Sequence, residues 1–345
     1  MDPDLVARLD RASSRVDRAL EEFLRAGPEF VENLHDGLLY ALGLGQEAGR
    51  GAPDRLARGK RIRPALCLLT CEALDGDPER AVPFAMAVEL MHNFFLVHDD
   101  IEDGDVFRRG RPCVWKRYGL AHGINIGDYL LTKVFAAFIS TAEGALSPTL
   151  QVALLDLLVE TLERTHIGQA RDLNALAKKE ISVAGYMEIV ENKSGYLATP
   201  MVGGAMVAEA PSETLDALRE MGRCVSPIFQ IVDDTIDLTE GKGRDRPGCD
   251  VREGKRSFLV AHACAKASAE EREELFRVLD LPREETTDDH VKWVRDLFDK
   301  YGAIEAGRRM CEDLMERARR AVAPTPPKLR DTLIGVFEGL LDRKR

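Results

Sequence analysis

The sequence predicts an all-α protein, a single large bundle of antiparallel helices around a central cavity, and three observations predict it. Apolar residues recur at helical spacing along most of the chain, while alternating β-branched runs are nearly absent. No linker of disordered composition divides the chain, so residues 1–345 are expected to form one domain. Hydrophobic residues make up 45% of the sequence, enough for a sizeable core, and the 31% that are charged suit a water-facing surface.

Element by element, residues 6–26 read as an amphipathic helix that opens the chain. A stretch containing Gly, Ala and Pro, Gly43 to Gly59, separates a second helix from a third at residues 62–74. From Arg80 to about Asp103 the chain is apolar along most of its length, which predicts a buried helix. Gly104 to Pro112 reads as a basic turn. Helices are then expected at about residues 120–142, 148–178, 185–209 and 212–238. A Gly-rich charged loop, Gly241 to Gly254, precedes three or more closing helices.

The formal net charge is -11, which gives no global support to nucleic-acid binding, so an anionic ligand must be held by local basic clusters or by metal ions. No run of about 18 uncharged apolar residues is present, so no membrane span is expected. The acidic start, MDPDLVARLD, lacks the apolar segment of a secretory signal. The seven cysteines are odd in number and scattered, and neither a disulfide framework nor a zinc site is completed around Cys67 and Cys71. They read as reduced core residues of a cytoplasmic protein.

The strongest chemical signal is Glu89 to Asp105, ELMHNFFLVHDDIEDGD, in which five acidic residues crowd the end of an apolar helix. Asp99 and Asp103 are four apart and share a face, about 6 Å apart along the axis. Like charges at that spacing, next to the negative end of the helix dipole, destabilise the helix until a cation neutralises them. Magnesium suits such a site because it prefers oxygen and is shared between one or two carboxylates and substrate phosphates. A solvated acidic helix end is the plainer reading of this segment alone. The pattern returns in FQIVDDTIDL, where Asp233 and Asp237 lie four apart with Asp234 beside them. Two copies of Asp-Asp-x-x-Asp, each after an apolar approach, could face one cavity of a bundle. Asp99, Asp100, Asp103, Asp233, Asp234 and Asp237 are therefore the candidate metal-binding residues.

Basic residues accompany both clusters. Lys60, Arg61 and Arg63 lie in RGKRIRP, and Arg108, Arg109 and Arg111 follow the first acidic motif. Lys193 lies in ENKSGY and Lys255 in REGKRS. Arginine matches phosphate oxygens two at a time, and lysine supplies a compact charge. Cations beside magnesium sites point to two diphosphate groups.

With these motifs in view, the sequence resembles a trans-isoprenyl diphosphate synthase of the farnesyl and geranylgeranyl diphosphate synthase family, from about Arg58 to Arg345. The resemblance rests on Gly59-Lys60-Arg61-x-Arg63-Pro64, Glu89-x-x-His92, Asp99-Asp100-x-x-Asp103, Arg108-Arg109-Gly110 and Gln169-x-x-Asp172. It continues through Lys193-Ser194-Gly195, Phe229-Gln230-x-x-Asp233-Asp234-x-x-Asp237 and Gly254-Lys255. It implies a bundle of the isoprenoid synthase type and a homodimer. It further implies that Asp99, Asp103 and Asp233 chelate three magnesium ions on an allylic diphosphate, dimethylallyl or geranyl, with Asp237 acting through water. Arg108, Lys193 and Lys255 would hold that diphosphate, while Lys60, Arg63, His92 and Arg109 would hold isopentenyl diphosphate. Gln169, Lys193, Ser194 and Gln230 would face the allylic cation. Three departures stand out: Pro112-Cys113-Val114-Trp115 replaces the family's Pro-Thr-x-His, Lys193-Ser194 replaces Lys-Thr, and Arg58 replaces a first glycine before Gly59.

Magnesium and cationic side chains would favour departure of the diphosphate, and the double bond of isopentenyl diphosphate would attack the resulting cation. The resemblance implies that the released diphosphate takes the proton. A class I terpene cyclase would need a second motif of Asn, Ser/Thr and Glu, whereas a second Asp-Asp-x-x-Asp stands here; a non-catalytic partner subunit should have lost one acidic cluster. For product length, Phe95 lies one turn below Asp99 on the same face, with Phe94 beside it and Met91 a further turn down. Two aromatics there either pack the bundle core or form a floor under the growing chain, and the resemblance implies that bulky residues at these positions accompany short products, notably farnesyl diphosphate. Geranylgeranyl diphosphate follows if the rings turn aside, and geranyl diphosphate if other helices narrow the pocket.

Overall fold

The computed structural model describes residues 1–25, 30–44, 58–239 and 247–342. Sixteen α-helices and one two-stranded hairpin occur among them. The expected loop from Gly43 to Gly59 lies largely outside the described residues, as does 241–246 of the Gly-rich loop. Two compact units are formed: residues 1–158, 199–216 and 324–342 make the first, and 159–198 with 217–323 make the second.

In the first unit, α1 (Pro3–Arg25), α2 (Leu34–Leu42), α3 (Ile62–Ala73) and α4 (Pro78–Glu102) follow the expected order. The start of α4 is set by Asp77, whose side chain accepts the Glu79 N–H at 3.0 Å, with Pro78 at the first helical position. Fourteen residues of α4 are buried, among them Phe84, Leu90, Met91 and Phe94, so apolar residues occupy every face of this central helix. It is long and apolar enough to cross a membrane, yet 72% of its most apolar eighteen-residue stretch is buried within the fold, as in a core helix.

Residues 104–112, expected as a turn, form a hairpin instead. β1 (Phe107–Arg108) pairs with β2 (Arg111–Pro112), and Arg109 and Gly110 form the two-residue loop at φ 55° and 74°. Positive φ at both loop residues matches the right-handed strand twist; the usual Asn-Gly signal was absent, so the hairpin was not legible beforehand. After α5 (Val114–Tyr118) come α6 (Leu120–Ala142), which packs extensively on α4, and α7 (Pro148–Leu176), within which the opening segment of the first unit ends. The expected helix at 185–209 is broken into α8 (Val183–Lys193), a 3₁₀ turn at Gly195–Leu197 and α9 (Ala198–Val207).

Helix α10 (Ser212–Thr239) carries the second acidic motif, and α11 (Cys249–Arg252) lies in what was expected to be loop. Five helices close the chain: α12 (Phe258–Cys264), α13 (Ala269–Leu279), α14 (Asp288–Lys300), α15 (Ala303–Val322) and α16 (Pro327–Asp342). In the second unit α12 packs against α8, α14 and α15. All seven cysteines are free and buried, as their scattered spacing implied.

Candidate functional site

In the first unit, His92, Phe95, Asp99 and Asp103 recur at i, i+3, i+7 and i+11, so they line one face of α4 down to its C-cap. Arg63, on the first turn of α3, places a guanidinium nitrogen 3.3 Å from His92 Nε2. Burial together with Arg63, Arg109, Arg108 and Arg61 pushes the imidazole well below its ordinary range. Four guanidiniums thus act on His92, of which Arg61 is paired with Asp17 and Glu89 and Arg108 with Asp100. Arg109 is itself pushed down to about 10, chiefly by burial, with Glu89 opposing and Arg61, Arg108 and Arg111 adding to the shift.

The hairpin aims these arginines. Arg108 and Arg111 are cross-strand partners, and Arg109 sits at the tip with its guanidinium against Gly59, where an added Cβ would come within 2.6 Å. The loop carrying Lys60 thus meets the hairpin carrying Arg109. Arg111 and Arg117 lie 4.0 and 4.4 Å from the centre of the Tyr40 ring, whose hydroxyl donates to the Pro112 carbonyl at 2.6 Å. Trp115, which stands where the resembling family has His, donates its indole N–H to the Asp105 carbonyl at 2.8 Å. A cleft of about 350 Å³, counting the solvent at its mouth, opens between Asn93, Leu96 and Val97 of α4 and Arg108, Arg109 and Arg111.

The aspartates divide into two kinds. Asp99 and Asp103 are half-buried at the end of α4, whereas Asp100 is buried and receives Arg108 Nε at 2.5 Å. Burial raises the Asp100 carboxyl, and Arg108 and Cys113 oppose the rise. In the second unit Asp233 is half-buried, while Asp234 is buried and accepts from Tyr186 Oη at 3.0 Å, Gln230 Nε2 at 2.9 Å and Phe258 N at 3.4 Å. Asp237 is fully buried and accepts the Asp250 N–H at 2.9 Å. Asp100 and Asp234 are thus engaged by Arg108, Tyr186 and Gln230, and Asp237 by the Asp250 backbone, partners that spacing does not reveal.

Also in the second unit, Lys193 at the end of α8 pairs with Asp172 of α7 at 2.7 Å. Gly168 makes this possible: a Cβ there would lie 2.2 Å from the Lys193 nitrogen, so only glycine lets the two helices approach so closely. Gln169 is half-buried beside this contact, and Ser194 caps α8. Lys255 lies 2.8 Å from Glu253 and 3.4 Å from Asp250. Phe94 is buried, Phe95 half-buried, and their ring centres are 5.0 Å apart. Tyr40, Trp115 and Tyr186 were not foreseen as site-shaping residues. Tyr186 lies 48 residues from its partner Asp234, so no local pattern announces the contact.

Among the described residues, no three His, Cys, Asp or Glu side chains form a group able to hold a metal by themselves. The donors at hand are carboxylates in ones and twos, a set that fits magnesium completed by phosphate oxygens and water.

The sequence profile of the family described as Polyprenyl synthetase matches residues 53–298. The chain is 32% identical over 292 residues to the short chain isoprenyl diphosphate synthase of Methanothermobacter thermautotrophicus, covering 84% of this chain and 87% of that one. The crystal structure of geranylgeranyl pyrophosphate synthetase from Pyrococcus horikoshii is similar with a TM-score of 0.85 and 31% identity, over 99% of this chain and 98% of that one. A polyprenyl synthase from Caulobacter crescentus, complexed with calcium and isoprenyl diphosphate, is similar with a TM-score of 0.81 and 26% identity, over 99% and 98%.

Proposed function

We propose, from the premise that this chain belongs to the polyprenyl synthetase family, that it is a short-chain trans-prenyltransferase joining an allylic diphosphate to isopentenyl diphosphate and making farnesyl diphosphate. The observation that carries the reading is the Arg63 guanidinium 3.3 Å from His92 with Arg108 and Arg109 close by, His92 sharing its helix face with Asp99 and Asp103. A diphosphate is the anion such a spot accommodates, since planar guanidiniums match its oxygens two at a time.

Asp99, Asp103 and Asp233 would hold magnesium, as three ions, with Asp237 assisting through water. Bound there, magnesium would stabilise the charge gathering on the leaving diphosphate. The Caulobacter relative, complexed with a divalent cation and isoprenyl diphosphate, supports a cation-assisted diphosphate site. Arg108, Lys193 and Lys255 hold the allylic diphosphate; Lys60, Arg63, His92 and Arg109 hold isopentenyl diphosphate. The allylic carbon–oxygen bond breaks with its electrons leaving on diphosphate. The double bond of isopentenyl diphosphate forms the new carbon–carbon bond, and the departed diphosphate takes the proton lost from the adjacent carbon. Gln169, Ser194 and Gln230 face the cationic carbon, and Asp100 and Asp234 keep Arg108 and Gln230 in place.

Farnesyl diphosphate follows from Phe95 one turn below Asp99, with Phe94 packed against it. The Pyrococcus structure is named for the product one unit longer, so chromatography of the wild-type products distinguishes the two. A homodimer in the cytoplasm completes the proposal. It is supported by exposed Leu120, Ile124 and Ile139 on α6 and Val152 and Val159 on α7, and by the seven free thiols. A diphosphate-release assay tests the reaction. Release only when both substrates are present supports condensation, whereas release from the allylic diphosphate alone, or no release at all, overturns it.

A further inference from the structure

The tripeptide Gly-Lys-Arg occurs twice, at Gly59-Lys60-Arg61 in the first unit and at Gly254-Lys255-Arg256 in the second. The two copies share the conformation of their glycine as well as a sequence, while of the two arginines only Arg61 has a positive φ. Gly59 and Gly254 take φ +71° and +68°, a region that favours glycine. Each arginine is sunk into the protein, 4% exposed for Arg61 and 3% for Arg256, while Lys60 is exposed and Lys255 half-buried. A helix follows in both cases, α3 directly at Ile62 and α12 at Phe258 after the N-cap Ser257.

The arginines do the same work with different partners. Arg61 donates to Asp17 of α1 at 2.8 Å, to Glu89 of α4 at 2.5 Å and to the Leu42 carbonyl that ends α2. Its own backbone lies at φ 48°, a strained value for a side-chain-bearing residue that these three bonds hold in place. Arg256 donates to the Leu176 carbonyl at 2.6 Å, the Lys178 carbonyl at 3.1 Å, Asp280 at 2.7 Å and the Gly254 carbonyl of its own turn at 2.6 Å. Arg61 therefore ties its segment to three separate stretches of chain, and Arg256 ties its segment to two, the end of α7 and Asp280 after α13. A fork with five donors can do this; an ammonium, a single point charge, does it poorly.

We propose that Arg61 and Arg256 are positioning residues for Lys60 and Lys255, each setting the affinity for one diphosphate and not the other. Neither arginine reaches the ligand. Each anchors the residue that follows its lysine, so that the lysine is presented from fixed backbone, and less ordering is left to be done on binding. The inference rests on the assignment of Lys60 to isopentenyl diphosphate and Lys255 to the allylic diphosphate. It predicts two separate substrate effects from two buried residues.

Steady-state kinetics of the full chain with Arg61→Lys, Arg256→Lys, Lys60→Ala, Lys255→Ala and the paired double variants test it. Arg61→Lys should raise KM for isopentenyl diphosphate by about tenfold and leave the allylic KM within about twofold; Arg256→Lys should do the reverse. Adding either arginine change to its lysine variant should have little further effect, since both act through one group. Equal rises for both substrates, or effects that multiply in the double variants, overturn positioning. Should circular dichroism show either arginine variant unfolded, Asp17→Asn and Asp280→Asn must give the same crossed pattern, and its absence overturns the inference. Lysine variants without a substrate-selective effect overturn the assignment of the two diphosphates instead.

Discussion

The hydroxyl of Tyr186 donates to the carboxylate of Asp234 across 3.0 Å, joining α8 to the second acidic motif on α10. Burial, reinforced by the Asp234 charge, pushes the phenol well above its ordinary range, so it stays a donor at every physiological pH. Tyr186→Phe keeps the ring against Phe258, 5.9 Å away, but leaves the buried carboxylate one donor short. A loss of about 1–3 kcal/mol is expected, read as a lower urea midpoint at unchanged m-value. A midpoint equal to wild type would mean that the bond contributes nothing.

The two kinds of aspartate should separate by kinetics. Asp99→Ala and Asp233→Ala are expected to lower turnover by about 10²–10³-fold or more, with helical circular dichroism retained. Asp100→Asn, which weakens the grip on Arg108, should act mainly on the allylic KM. Near-normal turnover in either alanine variant would refute the two-cluster site.

Stability should depend on pH through His92. Its folded value lies below the ordinary value of about 6.5, so the unfolded chain binds the proton first as pH falls. Stability is therefore full above about pH 6.5 and declines below it, by up to about 1.4 kcal/mol per pH unit from this group, until the folded ring also protonates. His92→Gln should flatten that decline in denaturation curves taken between about pH 7 and pH 5. A slope unchanged by the substitution would assign the dependence elsewhere.

Product length should respond more cleanly at Phe95 than at Phe94. Phe95 is half-buried, so Phe95→Ala should lengthen the product by one five-carbon unit at little cost in stability. Phe94 is 2% exposed, and Phe94→Ala should cost about 3–5 kcal/mol as a core cavity. Chromatography of the products decides it. An unchanged chain length in the double variant removes the aromatic floor.

Association can be read by sedimentation at micromolar concentration. Ile139 is 57% exposed on α6, and Ile139→Asp should convert a dimer into monomer without loss of helix content. A wild-type chain that already sediments as a monomer would end the dimer proposal.

Local pattern sufficed for much of this protein. The helices at 120–142, 148–176 and 212–239, the two acidic motifs and the basic runs beside them were legible because helical spacing alone decides which residues share a face. That Asp99 and Asp103 lie on the face of His92 and Phe95 needs only 3.6 residues per turn. Partner choice was not legible. Asp100 differs from Asp99 because Arg108, eight residues on, comes back over a hairpin; Asp234 differs from Asp233 because Tyr186 reaches it from another helix. Arg61, one of three basic residues in a short run, became a buried clamp because Asp17, Leu42 and Glu89 converge on it from three other helices. Periodicity orients a side chain about its own helix axis, but burial and pairing depend on elements far away in sequence, and only the packed chain brings those together.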